Sequence, residues 1–183
     1  KAHEMYLYDK FKPDFNSEKN LENLALNSEV VFVCVPTPMR ITGEIDYSSV
    51  YNSIEQITQE AMKIGRSSQN MLMVIRSTAV SGATDKLAKE YPFRFAFNPE
   101  FLREKYAVED MENTERVVIG ANDEKSVNQL MEIYKPIFPN AKYVGDLFFI
   151  TNAEHKILMG FMWTGESWVH EYTEFKVQTN GKI

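Results

Sequence analysis

Short apolar runs alternate along the chain with segments in which apolar residues recur every three or four positions. The first pattern is typical of buried strands, and the second is typical of amphipathic helices. Their alternation predicts an α/β fold, with a doubly wound and mainly parallel sheet and crossover helices. The predicted strands are Met5–Tyr8, Val30–Val35, Met71–Ile75, Phe93–Phe97, Arg116–Gly120 and Lys142–Val144. The alternation stops after Leu147, so we expect one sheet domain over residues 1–147 and a different region over residues 148–183.

Cap residues and apolar spacing locate the helices. Ser17, Asp46 and Asp123 are each placed to begin a helix, because short polar side chains accept hydrogen bonds from the first helical N–H groups. Further helices are predicted over Thr84–Glu90, Phe101–Asp110 and Ala153–Trp163, and strand or coil over Tyr172–Val177.

Composition and charge exclude several classes of function. The 183 residues carry a net charge of −6 and form no Lys/Arg cluster, which disfavours nucleic-acid binding. The apolar runs fall short of the ~20 residues that a membrane span needs. Three dispersed histidines indicate no metal site. The single cysteine, Cys34, cannot form an internal disulfide, so a reducing cytosol is expected.

The apolar run Val30–Val35 predicts a strand buried on both faces. Cys34 lies within that run, so it is expected to pack in the core rather than to act as a nucleophile.

Candidate chemistry lies where the predicted strands end, because open α/β sheets bind ligands at the carboxyl ends of their strands. Asp9 can bond a ribose hydroxyl or simply occupy a turn. The Pro36–Pro38 segment can border a ligand or only terminate its strand. Ser77 and Thr78 can bond a ligand or cap a helix.

Glu100 and Glu104 are four residues apart, so on the predicted helix they share one face. Burial or mutual repulsion would then raise one pKa and provide a base near neutral pH, whereas full exposure would leave two solvated carboxylates. No Gly-x-Gly-x-x-Gly phosphate loop occurs in the sequence.

Four stretches, taken together and in this order, resemble the UDP-glucose/GDP-mannose dehydrogenase family. They are Val33–Pro38 (VCVPTP), Arg76–Gly82 (RSTAVSG), Asn98–Glu104 (NPEFLRE) and Arg116–Ala121 (RVVIGA). The resemblance implies a Rossmann-like NAD-binding domain. It also implies oxidation of a nucleotide sugar's primary alcohol to a carboxylate, with two NAD reduced in succession.

The resemblance carries cofactor roles onto particular residues. Asp9 would hold the adenosine ribose, and Val35, Pro36, Thr37 and Pro38 would border the cofactor. Ser77 and Thr78 would lie near the nicotinamide, with Thr78 positioning a catalytic water that Glu104 also contacts.

Substrate roles follow in the same way. Glu100 would act near the sugar when a thioester intermediate is hydrolysed, and Phe101, Leu102 and Arg103 would adjoin the sugar nucleotide. A weaker similarity at Ala153–Lys156 would make Lys156 an oxyanion-stabilising residue.

The departures from the family pattern shape the functional expectation. The family's first strand and glycine loop are expected to precede Lys1, and its nucleophilic cysteine has no counterpart here. We therefore expect an N-terminal fragment of a nucleotide-sugar dehydrogenase that is inactive alone. Residues 148–183 would begin a central helical region or form a divergent tail, and assembly as a homodimer is expected only by analogy. The alternative is a degenerate, non-catalytic nucleotide-binding or assembly module.

Overall fold

A computed structural model describes residues 3–67, 70–146, 160–163 and 168–171. The strands are β1 (Val30–Val33), β2 (Leu72–Ile75), β3 (Arg94–Phe97), β4 (Arg116–Ala121), β5 (Lys142–Asp146), β6 (Gly160–Trp163) and β7 (Trp168–Glu171). The helices are α1 (Glu18–Asn27), α2 (Ser48–Lys63), α3 (Ala83–Glu90), α4 (Ala107–Glu112) and α5 (Glu124–Tyr134), with a 3₁₀ turn at Glu104–Tyr106.

The first five strands form one mixed, mostly parallel sheet in the order β1-β2-β3-β4-β5. Strands β1 and β2 are parallel, with Val30 opposite Leu72, and β4 and β5 are parallel, with Arg116 opposite Lys142. Strand β3 runs antiparallel to β4. The doubly wound α/β prediction is confirmed.

The chain divides into two compact units, residues 1–95 and 96–183, with the boundary inside β3. In the first unit, α2 buries the stripe that its sequence spacing predicts. The buried residues of that helix are Val50, Ile54, Ile57, Thr58 and Ala61. Gly65 then adopts a φ of 67°, a left-handed conformation that favours glycine at a helix end.

In the second unit, alternation along β4 and helical spacing along α5 produce the core. Val117 and Ile119 are buried on β4, and Val127, Leu130 and Met131 are buried on α5. The Asp123 side chain accepts a hydrogen bond from the Ser126 N–H at 2.7 Å and so caps α5, as predicted. Ser17 caps α1 in the same way through the Asn20 N–H.

The predicted strand at Met5–Tyr8 is wrong. Among the described residues nothing pairs with this segment, and a strand is stable only when a neighbour accepts its backbone hydrogen bonds. Met5 remains 77% exposed.

Two further expectations about β1 are also wrong. Only Val31 and Val33 are fully buried on β1, whereas all four residues of β2 are. The difference follows from position, since β2 has a strand on each side and β1 ends the strand order. Cys34 lies just beyond β1 and is exposed, so it is not a core residue.

The helix predicted over Ala153–Trp163 is contradicted at its end. Gly160–Trp163 is strand β6, which pairs antiparallel with β7, with Trp163 opposite Trp168. Backbone pairing across the hairpin overrides the helical spacing of these residues. Tyr172–Val177 lies outside the described residues. Among those that are described, no helix is long and apolar enough to cross a membrane.

Candidate functional site

In the first unit, Ser77 connects the end of β2 to the segment that leaves β1. Its Oγ accepts a hydrogen bond from the Val35 N–H at 3.1 Å and donates to the Val35 carbonyl at 2.6 Å. Ser77 is buried, and a hydroxyl has only one hydrogen to donate. Its donor is therefore committed inside the fold, where it holds Val35 in place at the start of the Pro36–Pro38 segment.

The adjacent Thr78 has the opposite environment. It is exposed, and its hydroxyl makes no hydrogen bond to any residue that the structure describes. Thr78 can therefore offer both a donor and an acceptor to a ligand or a water. The two hydroxyls are equivalent candidates in the sequence, but in the fold Ser77 is buried and hydrogen-bonded whereas Thr78 is exposed.

Tyr47, just before α2, holds the loop that follows β2. Its hydroxyl accepts a hydrogen bond from the Val80 N–H at 2.7 Å. No sequence signal marked Tyr47 as important, because an aromatic residue at the start of a helix is compatible with ordinary packing.

Asp46 was predicted to cap α2; the N-cap residue is instead Tyr47, and Asp46 stabilises the start of the helix from one residue further back. It accepts hydrogen bonds from the Ser48 N–H at 2.9 Å and from the Arg40 guanidinium at 3.1 Å. The Ser48 backbone N–H, followed by the Arg40 side chain, lowers the pKa of Asp46 to about 2.

Asp9 forms a turn within the first unit. Its Oδ1 accepts the Phe11 N–H at 2.9 Å, and its Oδ2 lies 4.0 Å from the Lys12 ammonium group. The side chain is 39% exposed, and an ionised carboxylate has about four acceptor positions. The turn therefore leaves acceptor capacity on the Asp9 carboxylate for a further hydrogen-bond donor.

In the second unit, Asn98 anchors the turn that leaves β3. It is only 1% exposed. Its Nδ2 donates to the Val118 carbonyl at 2.6 Å, and its Oδ1 accepts from the Tyr134 hydroxyl at 2.5 Å. Tyr134 was expected only as part of the apolar face of α5, and nothing in the sequence predicted its polar contact.

The helix predicted over Phe101–Asp110 is wrong in its first part. Arg103 is extended, with φ −79° and ψ 126°; a 3₁₀ turn follows, and α4 begins only at Ala107. The Leu102 N–H donates to Glu100 Oε2 at 2.9 Å, and the Arg103 N–H donates to Asp110 Oδ2 at 2.8 Å. Because these carboxylates bind the two amides, Glu100 and Glu104 do not share a helical face.

Arg103 is fixed by its own neighbours. Its guanidinium forms a bidentate pair with Asp110, with an Nη2–Oδ1 distance of 2.6 Å, and lies 4.7 Å from the centre of the Tyr106 ring. The Arg103 side chain, followed by its backbone N–H, lowers the pKa of Asp110 to about 2.

The remaining predicted residues are mostly exposed. Pro36, Pro38, Glu100, Phe101 and Glu104 are exposed, and Val35, Thr37 and Leu102 are half-buried. Lys156 lies outside the described residues. Within the described part of the chain, no group of three His, Cys, Asp or Glu side chains is arranged to hold a metal ion.

Residues 4–138 match the UDP-glucose/GDP-mannose dehydrogenase family, NAD binding domain. The chain belongs to this family. The matched residues form its NAD-binding domain, which confirms the resemblance read from the sequence.

Individual relatives agree with the family assignment. A UDP-glucose 6-dehydrogenase of Rickettsia bellii is 39% identical over 119 residues, covering 62% of this chain and 26% of its own. The structure of a UDP-glucose dehydrogenase from Pyrobaculum islandicum matches with a TM-score of 0.59 at 31% identity, covering 68% of this chain and 30% of its own. A GDP-mannose dehydrogenase from Pseudomonas aeruginosa, solved as a ternary complex, has the same TM-score and coverage at 28% identity. The chain thus spans less than a third of the length of these three relatives.

Proposed function

We propose that this chain provides the NAD-binding part of a dehydrogenase that oxidises the primary alcohol of a UDP-sugar, such as UDP-glucose, to a carboxylate. The observation that carries the proposal is where the family-like stretches lie. Val33–Pro38, Arg76–Gly82 and Asn98–Glu104 begin at or directly after the ends of β1, β2 and β3, where open α/β sheets bind ligands. The name of the Rickettsia bellii relative supports UDP-glucose as the substrate.

NAD, when bound, supplies the hydride acceptor, and oxidation of an alcohol to a carboxylate consumes two NAD and one water. On this chain, Asp9 would accept a hydrogen bond from the ribose, and the segment Val35–Pro38 would border the cofactor. Thr78 would orient the water with its exposed hydroxyl, whereas Ser77 would act by holding Val35. These roles agree with the exposure of Thr78 and the buried position of Ser77.

The second unit would serve the sugar. Glu100 and Glu104 are exposed carboxylates on backbone that Asn98 anchors at one end and Asp110 at the other. Glu100 would act near the sugar, and Glu104 would contact the water. Phe101 and Leu102 would offer backbone to the sugar nucleotide; of the two amides, that of Leu102 already donates to Glu100. Lys156 stays a prediction, as do the cytosolic location, dimerisation and the role of residues 148–183.

The cofactor part of the proposal is tested by NADH binding to the 183-residue chain, measured by ligand-observed NMR. We expect Thr78→Ala to weaken binding about three- to tenfold, the value of one hydrogen bond. Ser81→Ala removes another exposed hydroxyl from the same loop and should leave binding unchanged. Failure of the unmodified chain to bind NADH at millimolar concentration, or equal binding by all three proteins, would contradict the proposal.

The substrate part is tested with UDP-glucose and GDP-mannose as competing ligands. We expect the chain to bind UDP-glucose more tightly. With UDP-glucose and NAD together, we expect no NADH to form, because the sequence has no glycine-rich phosphate loop and its one cysteine follows β1. Preference for GDP-mannose would reassign the substrate, and steady NADH formation would show that the chain is active alone.

A further inference from the structure

We propose that Asp110 is a positioning residue that keeps Phe101–Arg103 out of the helical turn that begins at Glu104, by binding the backbone N–H of Arg103. The inference rests on the proposed function in one respect, since the course of this segment matters to catalysis only if Glu100 and Glu104 act in that reaction. The conformational part stands on the geometry alone.

The contact with Asp110 and a continuous helix exclude each other. In a helix over Phe101–Asp110, Arg103 and Asp110 would lie about 10 Å apart along the axis, at ~1.5 Å per residue. An aspartate side chain cannot span that distance to an amide. The observed Arg103 N to Asp110 Oδ2 distance of 2.8 Å therefore requires the backbone between them to fold back.

The local sequence favours the helix that Asp110 prevents. Phe101–Asp110 has no glycine or proline and includes Leu, Arg, Glu, Lys and Ala, all strong helix formers. Helical structure begins at the residue after Arg103, first as the 3₁₀ turn at Glu104–Tyr106 and then as α4. Removing the acceptor at position 110 should therefore let the helix extend toward Phe101.

Arg103 is held through its backbone N–H, its carbonyl and its guanidinium. Its N–H and guanidinium bind Asp110, and its carbonyl accepts the Tyr106 N–H at 2.9 Å. The Asp110 side chain is 17% exposed, against 67% for Arg103, so the carboxylate is the enclosed partner. Since Glu104 follows Arg103 directly and Glu100 precedes it by three residues, fixing Arg103 fixes the backbone course of both glutamates.

The conformational test compares Asp110→Ala with Glu109→Ala, which removes a neighbouring exposed carboxylate from the same helix. The measurement is the ¹³Cα chemical shift of residues 101–103, which precede the 3₁₀ turn. Asp110→Ala should move these shifts from extended toward helical values, and Glu109→Ala should not. Asp110→Asn keeps an oxygen that can accept the Arg103 N–H and should retain the extended values. Asp110→Ser should give the same helical shifts as Asp110→Ala, and it is measured instead if Asp110→Ala does not fold.

The functional test is the affinity of the same proteins for UDP-glucose. Asp110→Ala should weaken binding about tenfold because it displaces the two glutamates, with Asp110→Asn close to the unmodified chain. Extended shifts in Asp110→Ala, or helical shifts with unchanged affinity, would overturn the inference. An unmodified chain that does not bind UDP-glucose contradicts the proposed function instead, and the chemical shifts then decide alone whether Asp110 excludes the helix.

Discussion

The segment that leaves β2 and the segment that leaves β3 are held by different kinds of interaction. After β2, neutral groups hold the backbone: the Ser77 hydroxyl binds Val35, and the Tyr47 hydroxyl binds the Val80 N–H. After β3, a buried amide, Asn98, holds the start of the segment and the Arg103–Asp110 ion pair holds its far end. The first arrangement is insensitive to acid, whereas the second contains a carboxylate that titrates.

The two segments also share a pattern. In each, a residue committed to the fold directly precedes an exposed residue with a proposed chemical role: Ser77 precedes Thr78, and Arg103 precedes Glu104. The first member of each pair fixes the backbone from which the second extends. In both family-like stretches a residue whose side chain is bonded within the fold directly precedes one whose side chain is exposed, and residue type alone does not separate them.

Of the substitutions that test this comparison, Asn98→Ala in the second unit is expected to lower the free energy of unfolding most. The substitution leaves the Tyr134 hydroxyl and the Val118 carbonyl without the partner they have now and creates a small cavity. We expect a loss of about 2–4 kcal/mol in the free energy of unfolding. Chemical denaturation followed by circular dichroism measures it.

The control is Asn113→Ala, since Asn113 is exposed and its side chain donates to the Glu109 carbonyl at the surface. Asn113→Ala should lower the free energy of unfolding by less than about 1 kcal/mol. Similar losses for the two variants would mean that Asn98 does not anchor the segment after β3.

Features set by local periodicity or by caps were predictable from the sequence. The apolar stripe of α2 and the caps at Ser17 and Asp123 need only neighbouring residues, and the structure confirms them. The predictions for Met5–Tyr8 and for the first part of Phe101–Asp110 were wrong because the conformation of these segments depends on a partner elsewhere. Met5–Tyr8 has no described strand beside it, and Asp110 takes the Arg103 amide.

The polar contacts at the candidate site could be predicted only in part. The strand-end positions of Thr78, Glu100 and Glu104 follow from apolar runs and their ends. The contacts of Tyr47 and Tyr134 join residues 33 and 36 positions apart. A local pattern carries no information about which tyrosine hydroxyl meets which backbone or amide group.

A smaller effect is expected from Ser77→Ala in the first unit. The alanine cannot accept the Val35 N–H or donate to its carbonyl, and the site is buried. We expect a loss of about 1–3 kcal/mol in the free energy of unfolding. Thr78→Ala, one residue on and exposed, should change it by less than about 0.5 kcal/mol. Equal losses would remove the distinction between the positioning hydroxyl and the exposed one.

The smallest effect, and the one that separates the two segments most directly, is expected from acid. The pKa of Asp110 is lowered to about 2 by Arg103, against about 3.9 for an aspartate in an unfolded chain. Because the pKa is lower in the folded state, the contribution of the ionised Asp110 to folding stability is complete above about pH 4 and is lost as the pH falls through about 2.

The Arg103 amide resonance in ¹H–¹⁵N spectra should therefore shift with a midpoint near pH 2. The Ser48 amide beside Asp46 should shift in the same range, because the pKa of Asp46 is also about 2. The Val35 amide, held by a hydroxyl, should not titrate there. An Arg103 amide that titrates near pH 4 would show that the contact with Asp110 does not form in solution, and simultaneous movement of all three amides would instead indicate global acid unfolding.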